Sequence, residues 1–366
     1  MEFKKYKMED IATFSQGKQV EIENQYTEQK ENMKRFLRII DFTNPNEPIR
    51  YVEDYGDRYY AKKDDLVMIR YGSQTCGKVV IGKEGIIANN MFKINLDNSI
   101  VLNRYAYYYL KQDIVYNYLR SSQNSSTMPS INFGILNKLE IEVPSIDNQR
   151  KIVKILSDID QKIELNNEIN NNLYDEVVAL YKENFSDIER GEKTIGEYII
   201  PKRGKNLLTR DAVDGKVPVV AGGIEPSTYH NQSNTNSPVI TISASGANAG
   251  FTNLWNIPVW ASDCSYIDES ITKNVYFWYI VLKTRQKEIF DAQTGSAQPH
   301  IYPQHIADMP IGELNIDEVI NYNNSVEPLF EMIGENIKET EQLSQLRDTL
   351  LPKLMNGEID LDKVEV

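Results

Sequence analysis

The segment Gly72-Ser73-Gln74-Thr75-Cys76-Gly77-Lys78-Val79 comes nearest to a catalytic signature in this chain. A phosphate-binding loop cradles phosphates with backbone amides, reaches them with a lysine, and places Ser or Thr next for magnesium at the start of a helix. Here the last position is Val79, and Val79-Val80-Ile81 reads as a strand, so a tight hairpin turn is expected. A nucleotide-binding enzyme built on residues 72–78 is therefore a minor alternative. The histidines His230, His300 and His305 and the cysteines Cys76 and Cys264 show no zinc-ligand spacing. Two distant cysteines give no disulfide framework. There is no Gly-x-Ser-x-Gly elbow. Glu2-x-Lys4 and Glu28-x-Lys30 read as solvated charge, and Asn44-Pro45-Asn46-Glu47 lacks the aromatic residue of an amino-methyltransferase motif. We expect no catalytic residue and no metal site: the chain reads as a binder.

The side chains that could bind suit DNA. Base edges are read by Arg, Lys, Asn, Gln, Ser and Thr, and phosphates by Lys, Arg and backbone amides. The first half offers a loop, residues 121–127, that is free of carboxylates and contains Gln123, Asn124, Ser126 and Thr127. Arg70, Tyr71, Gln74, Asn89 and Asn90 stand near expected strand ends. The second half offers Ser243, Ser245, Asn248, Thr294, Ser296, Gln298 and His300. Lys202, Arg203, Lys205 and Arg210 form one local basic run, and Lys34, Arg35 and Arg38 another. Each alone could be an ordinary polar loop or a solvated face. The polar loop recurring at one repeat position is the stronger signal.

That repeat organises the chain. At an offset of 170, Ser126-Thr-Met-Pro-Ser-Ile131 aligns with Ser296-Ala-Gln-Pro-His-Ile301, and the register runs on through Ile159 with Leu329 and Asn166 with Asn336. Upstream the offset is 173, matching Leu66-Val-Met-Ile69 with Val239-Ile-Thr-Ile242. Identities are few, so the copies are expected to share a fold but not a surface. Residues 36–42, 66–71 and 78–82 read as strands followed by a helix over 104–120. In the second copy 217–221, 238–243 and 259–262 read as strands followed by a helix over 274–291.

Two segments carry heptad spacing. One steps through Leu156, Ile159, Ile163, Asn166 and Leu173. The other steps through Leu329, Ile333, Asn336, Leu343 and Leu350. Such spacing predicts a coiled-coil seam, in helices of about 35–39 residues and roughly 55 Å. Pro144 and Pro310 precede these helices, while Gly191 follows the first and Pro352 with Gly357 ends the second. Asn166 and Asn336 sit either in the seam, fixing register at a cost in stability, or just off it. The expected architecture is α/β: domains over 1–144 and 191–312 alternating with spacer helices over 145–190 and 313–366. The helices pair antiparallel and relate the copies by a pseudo-two-fold axis.

At 366 residues, two or three domains fit. The net charge of −13 does not exclude DNA, because it is uneven. The two globular segments carry +1 and −1, and the two helical segments −4 and −9. No apolar run spans a bilayer and no signal peptide is evident, so a reduced, cytoplasmic protein is expected.

These features together resemble the DNA specificity subunit of type I restriction-modification systems. The matching residues are Ser126-x-x-Pro-Ser-Ile131, Leu139-x-Ile-x-Val-Pro144, and Asp147-Asn-Gln149-Arg150-Lys-Ile-Val153 opening a helix. Ser296-Ala-Gln298-Pro-His-Ile301, Val259-Trp-Ala261-Ser-Asp263 and Leu350-Leu-Pro352-Lys-Leu354-Met-Asn-Gly357-Glu-Ile359 complete the likeness. The resemblance implies a non-catalytic subunit whose two target-recognition domains each read half of a bipartite, asymmetric site in double-stranded DNA. It implies two methyltransferase subunits using S-adenosylmethionine, and a restriction subunit that translocates and cleaves with ATP and Mg2+. Readers on one face of B-DNA favour a spacing near one turn, about 34–36 Å, which a rod of about 55 Å could hold. Near-neutral readers and acidic helices predict weak DNA binding by the isolated chain. The second helix lacks the Gln-Arg pair of the first, which could make partner docking unequal. A coiled-coil scaffold with two protein-binding domains is the alternative.

Overall fold

In the computed structural model, residues 1–44, 47–72, 74–122, 130–185, 188, 190–295 and 298–363 are described. The chain divides into two units, 1–162 with 343–366 and 163–342. The divisions fall inside the two long helices, Ile146–Phe185 and Ile316–Met355, so neither helix forms a unit of its own.

The first unit opens with strand Lys4–Lys7, antiparallel to Glu140–Val143. A four-stranded antiparallel sheet follows in the order Ala12–Gln16, Met91–Leu96, Leu66–Ile69, Val79–Val80. Leu66–Ile69 is buried at every position, which explains its unbroken apolar sequence. A second sheet runs Arg50–Glu53, Met33–Leu37, Gly85–Ile87, Tyr60–Ala61, with Met33–Leu37 parallel to Gly85–Ile87. Its core is separate from the one beneath the first sheet.

Local sequence misled in two places here. The strand expected over 36–42 ends at Leu37, and Ile40–Thr43 is a short helical turn. The buried Asp41 carboxylate decides this: it accepts from the backbone N–H and Nε of Arg38 at 2.8 and 2.9 Å. Arg35 approaches the same carboxylate at 3.8 Å, while Lys34 pairs with Asp54. The basic run Lys34, Arg35, Arg38 is therefore engaged with acids of its own domain. The helix expected over 104–120 is two helices, Asn103–Lys111 and Asp113–Ser121, broken where Gln112 is extended. Tyr105 and Tyr108 are buried, and their hydroxyls donate to the Glu142 carbonyl at 2.9 Å and to Asp160 at 2.7 Å. Burial raises the pKa of both phenols well above the ordinary value, so they remain donors across the physiological range.

The second unit has the same strand order. Its first sheet runs Lys202–Arg203, Cys264–Asp268, Val239–Ser243, Thr252–Trp255, and its second Thr228–His230, Val217–Val220, Trp260–Ala261. Val217–Val220 runs parallel to Trp260–Ala261, as Met33–Leu37 does to Gly85–Ile87. The fourth strand of the first unit's second sheet, Tyr60–Ala61, has no counterpart among the described residues. The helix expected over 274–291 is likewise split, into Val275–Thr284 and Gln286–Asp291. Arg285 sits at the break, buried, and donates to the Pro310 carbonyl at 2.8 Å and to Glu288 at 2.7 Å.

The long helices lie antiparallel within each unit. In the second unit Tyr322 donates its hydroxyl to the Val177 carbonyl at 3.0 Å, and Asn336 donates to Asn170 Oδ1 at 2.8 Å. Asn166, fully buried, donates to Glu339 at 2.8 Å and to Thr340 at 3.4 Å. The asparagines thus form a polar layer between the helices. In the first unit Arg347 binds Asp160 at 2.9 Å. Of the expected pairing residues, Leu156 is buried, whereas Ile159, Ile163, Leu173, Leu329, Ile333, Leu343 and Leu350 are half-buried.

Neither cysteine forms a disulfide, and both are buried. Burial pushes the Cys264 thiol up to about 12. Since only the thiolate is nucleophilic, an aromatic disulfide reagent at pH 8 should label neither cysteine in the native chain, and both after denaturation. Rapid native labelling of Cys264 would show that its strand opens.

Candidate nucleic-acid interface

The antiparallel registers gather the expected readers at one end of the four-stranded sheet. In the first unit Gln16 lies opposite Phe92 and Ile69 opposite Met91, so Gln16, Arg70, Tyr71, Asn89 and Asn90 converge there. Arg70 donates from Nη1 to Gln16 Oε1 at 2.8 Å, and its guanidinium lies 5.0 Å from the Tyr71 ring centre. Gln16 donates from Nε2 to the Asn89 carbonyl. The Arg70 N–H donates to the Asn90 carbonyl at 2.8 Å, and its own carbonyl accepts from Ile131 at 3.1 Å. Asn90 Oδ1 is buried with no hydrogen-bond partner among the described residues. Tyr71 bridges to Ser130, which closes the polar loop. The loop residues Gln123, Asn124, Ser126 and Thr127 lie outside the described residues, as does Ser296 in the second copy.

Residues 74–79 form the hairpin turn that their strand-forming valines imply. Gly77 N–H donates to the Ile69 carbonyl at 2.8 Å, and Ile69 N–H to the Lys78 carbonyl at 2.9 Å. Gly72 and Gly77 have φ of 121° and 86°, where glycine is favoured. Gln74 is exposed on this turn, and its carbonyl accepts from the Tyr116 hydroxyl at 3.4 Å.

At the same end of the second unit's sheet, Arg203 Nη2 donates to Asp263 Oδ1 at 2.5 Å, and Ser245 donates its hydroxyl to Asp263 Oδ2. Ser245 bridges to His300 as Tyr71 does to Ser130. Ile301 N–H donates to the Ala244 carbonyl at 3.0 Å, as Ile131 does to Arg70. Thr294 pairs with His300 through both backbone groups, and Gln298 is exposed. Asn248 lies on the adjoining turn, its carbonyl accepting from Phe251 N–H at 2.9 Å. Lys202 and Lys205 are exposed: Lys202 Nζ contacts Ser270 at 3.2 Å, and the Lys205 carbonyl accepts from Trp260 at 2.8 Å. Ser243 stands apart. It is 3% exposed and spends its hydroxyl on the Gly222 carbonyl at 2.9 Å, so it supports the strand from inside.

Sequence reasoning did not select Gln16 or Asp263. A signal for Gln16 was present: Gln16-Gly17-Lys18 and Arg203-Gly204-Lys205 repeat a Gly-Lys pair. Both glycines are needed, because a Cβ would lie 2.6 Å from the Ile87 carbonyl at Gly17, and 2.6 Å from the Ala261 carbonyl at Gly204. Lys18 and Lys205 then donate their N–H groups to those carbonyls at 2.8 and 2.9 Å. Asp263 is not among the residue types named above as readers of bases or phosphates. Its charge is taken up by Arg203.

Among the described residues no group of three or more His, Cys, Asp or Glu is placed to hold a metal ion, and no helix is long and apolar enough to cross a membrane.

Residues 1–174 match the model of the type I restriction modification DNA specificity domain. The MjaIX specificity subunit of Methanocaldococcus jannaschii is 26% identical over 329 residues, covering 79% of this chain and 76% of that protein. A putative type I specificity subunit of Mycoplasma genitalium is 26% identical over 319 residues, covering 81% and 82%. The crystal structure of a type I restriction-modification S subunit from M. genitalium superposes with a TM-score of 0.65 at 21% identity, over 97% of this chain and 96% of that one. At that identity the likeness establishes a shared fold.

Proposed function

We infer that this chain is the DNA specificity subunit of a type I restriction-modification system, the family to which its first 174 residues are matched. Each sheet end reads one half of a bipartite, asymmetric sequence in double-stranded DNA. The long helices set the separation of the halves and dock two methyltransferase subunits. The chain itself is non-catalytic. S-adenosylmethionine serves the methyltransferases, and ATP with Mg2+ serves a restriction subunit that joins them in the cytoplasm.

One observation carries this reading. Two sheets of the same strand order present different polar side chains at the same end, Gln16 with Arg70 in one and Arg203 with Asp263 and Ser245 in the other. A repeated scaffold with divergent reading residues fits two different half-sites. The two globular segments carry net charges of only +1 and −1, so affinity for phosphates is expected to come largely from partners.

The test is a genome-wide map of methylated adenine in cells expressing the chain with its methyltransferase partner, against cells lacking only this chain. A new two-part asymmetric motif that depends on the chain is expected. A stable complex that adds no motif to the map would count against the reading, and absence of both complex and motif would favour a scaffold.

A further inference from the structure

Each unit places one guanidinium, oriented by its neighbours, at the same end of the same sheet, and we propose that Arg70 and Arg203 each read a guanine, one in each half-site. The inference rests on the specificity-subunit reading above and adds the base and the residue.

The two arginines reach this place from different strands. Gln16 and Arg203 occupy one station, since each ends the edge strand and is followed by the Gly-Lys pair packed on a neighbouring strand. Asn90 and Asp263 occupy another, each directly preceding the strand beside it. Tyr71 and Ser245 occupy a third, each bridged to the residue that closes the repeated loop. In the first unit Gln16 accepts from Arg70, and Tyr71 lies against the guanidinium face. In the second unit Asp263 holds Arg203, and Ser245 holds Asp263.

A guanidinium held this way is unlike a phosphate contact. Phosphate asks only for charge within reach, and a mobile lysine serves well. Fixing the plane of an arginine fork matters when two parallel donors must meet two acceptors in a defined plane. Guanine offers that pair, O6 and N7, in the major groove, whereas adenine sets a donor beside N7. Gln16 occupies Nη1 of Arg70, and the remaining guanidinium donors have no hydrogen-bond partner among the described residues. The Arg203 side chain is 41% exposed. Gln16 and Asp263 are positioning residues that keep each fork in plane.

The test uses the assembled complex and the methylation map. Arg70→Lys is expected to broaden one guanine position in one half-site, and Arg203→Lys one guanine position in the other. Discrimination at that position should fall roughly 10- to 100-fold, the span of one bidentate contact. Gln16→Leu should broaden the same position as Arg70→Lys. A folding defect instead lowers methylation at every site and leaves the motif unchanged. As a second measurement, binding of the wild-type complex to an oligonucleotide with 7-deazaguanine at that position should weaken about tenfold, while the Arg70→Lys complex should not distinguish it from guanine. The inference is overturned if both variants broaden the same half, if the broadened base is not guanine, or if 7-deazaguanine weakens both complexes equally. A wild-type chain that directs no bipartite motif sinks the proposed function itself, which separates that failure from this one.

Discussion

Removing residues 351–366 should unfold the first unit and leave the second folded. Leu351, Leu354, Met355 and Leu361 are at most 8% exposed and join the core formed by Met8, Leu66, Phe92 and Tyr105. Burying each is worth about 1.5–3 kcal/mol, together roughly 6–12 kcal/mol. A domain's whole stability is about 5–15 kcal/mol, so little is left. The turn that returns the tail to this core is built for the purpose. Gly357 has φ of 73°, its N–H donates to the Leu354 carbonyl at 3.3 Å, and Glu358 N–H donates to the Lys353 carbonyl at 2.9 Å. This is the hydrogen-bond pair of a Schellman helix end, which needs glycine or asparagine. Hydrogen exchange of the truncated chain should show strand Leu66–Ile69 losing its protection while Val239–Ser243 keeps its own. Equal protection of the two strands would show that the tail is dispensable. Leu354→Ala alone, at about 2–5 kcal/mol, gives the graded version.

Period and punctuation made most of the fold legible. Leu66-Val67-Met68-Ile69 reads as a strand, and the structure makes it one that is buried at every position. The 170-residue offset carries through the small helix Phe133–Asn137 to Pro303–Ala307, and through the long helices. What local reasoning missed was settled by tertiary partners. Nothing local announces that Gln112 and Arg285 break their helices, because the deciding contacts of Arg285 include the Pro310 carbonyl, 25 residues away. Asp41 likewise ends a strand by binding two arginines of the local basic run, Arg35 and Arg38. Asn166, open between seam and surface in the sequence, is fully buried against Glu339 and Thr340.

The site was legible in part. Strand-end placement of Arg70, Tyr71, Asn89 and Asn90 followed from the hydrophobic pattern, and the sheet brings them together. Gln16 lies 54 residues from Arg70, so only the register across Met91–Leu96 makes them neighbours. Ser243 looked like a reader by residue type. Its strand is buried at all five positions, and burial turns the hydroxyl inward to a carbonyl. Residue type proposes a candidate reader, and burial in the sheet withdraws Ser243 from the surface.

Gln149→Leu should cost the first unit about 3–9 kcal/mol while leaving the second unit's stability unchanged. The side chain is fully buried, donates to the carbonyls of Ile100 at 2.8 Å and Pro144 at 3.0 Å, and accepts from Leu102 N–H at 2.9 Å. Leucine fits the volume but strands three buried backbone groups, at about 1–3 kcal/mol each. Leu102 caps helix Asn103–Lys111, so the change also loosens the tyrosines that reach Glu142 and Asp160. The second copy has Val319 at this repeat position, and the corresponding work falls to Asn323, whose Oδ1 accepts from the N–H groups of Tyr276 and Phe277 at 3.1 and 3.3 Å. This assigns the missing Gln-Arg pair of the second helix a physical reason for its first member: the interior is tied by a different residue. Arg150, with 66% of its side chain exposed beside Asp147, remains the member able to face a partner. Denaturant unfolding monitored separately in each unit checks the stability claim. If Gln149→Leu leaves stability intact but abolishes assembly with the methyltransferase, Gln149 acts through docking, and the interior role argued here is wrong.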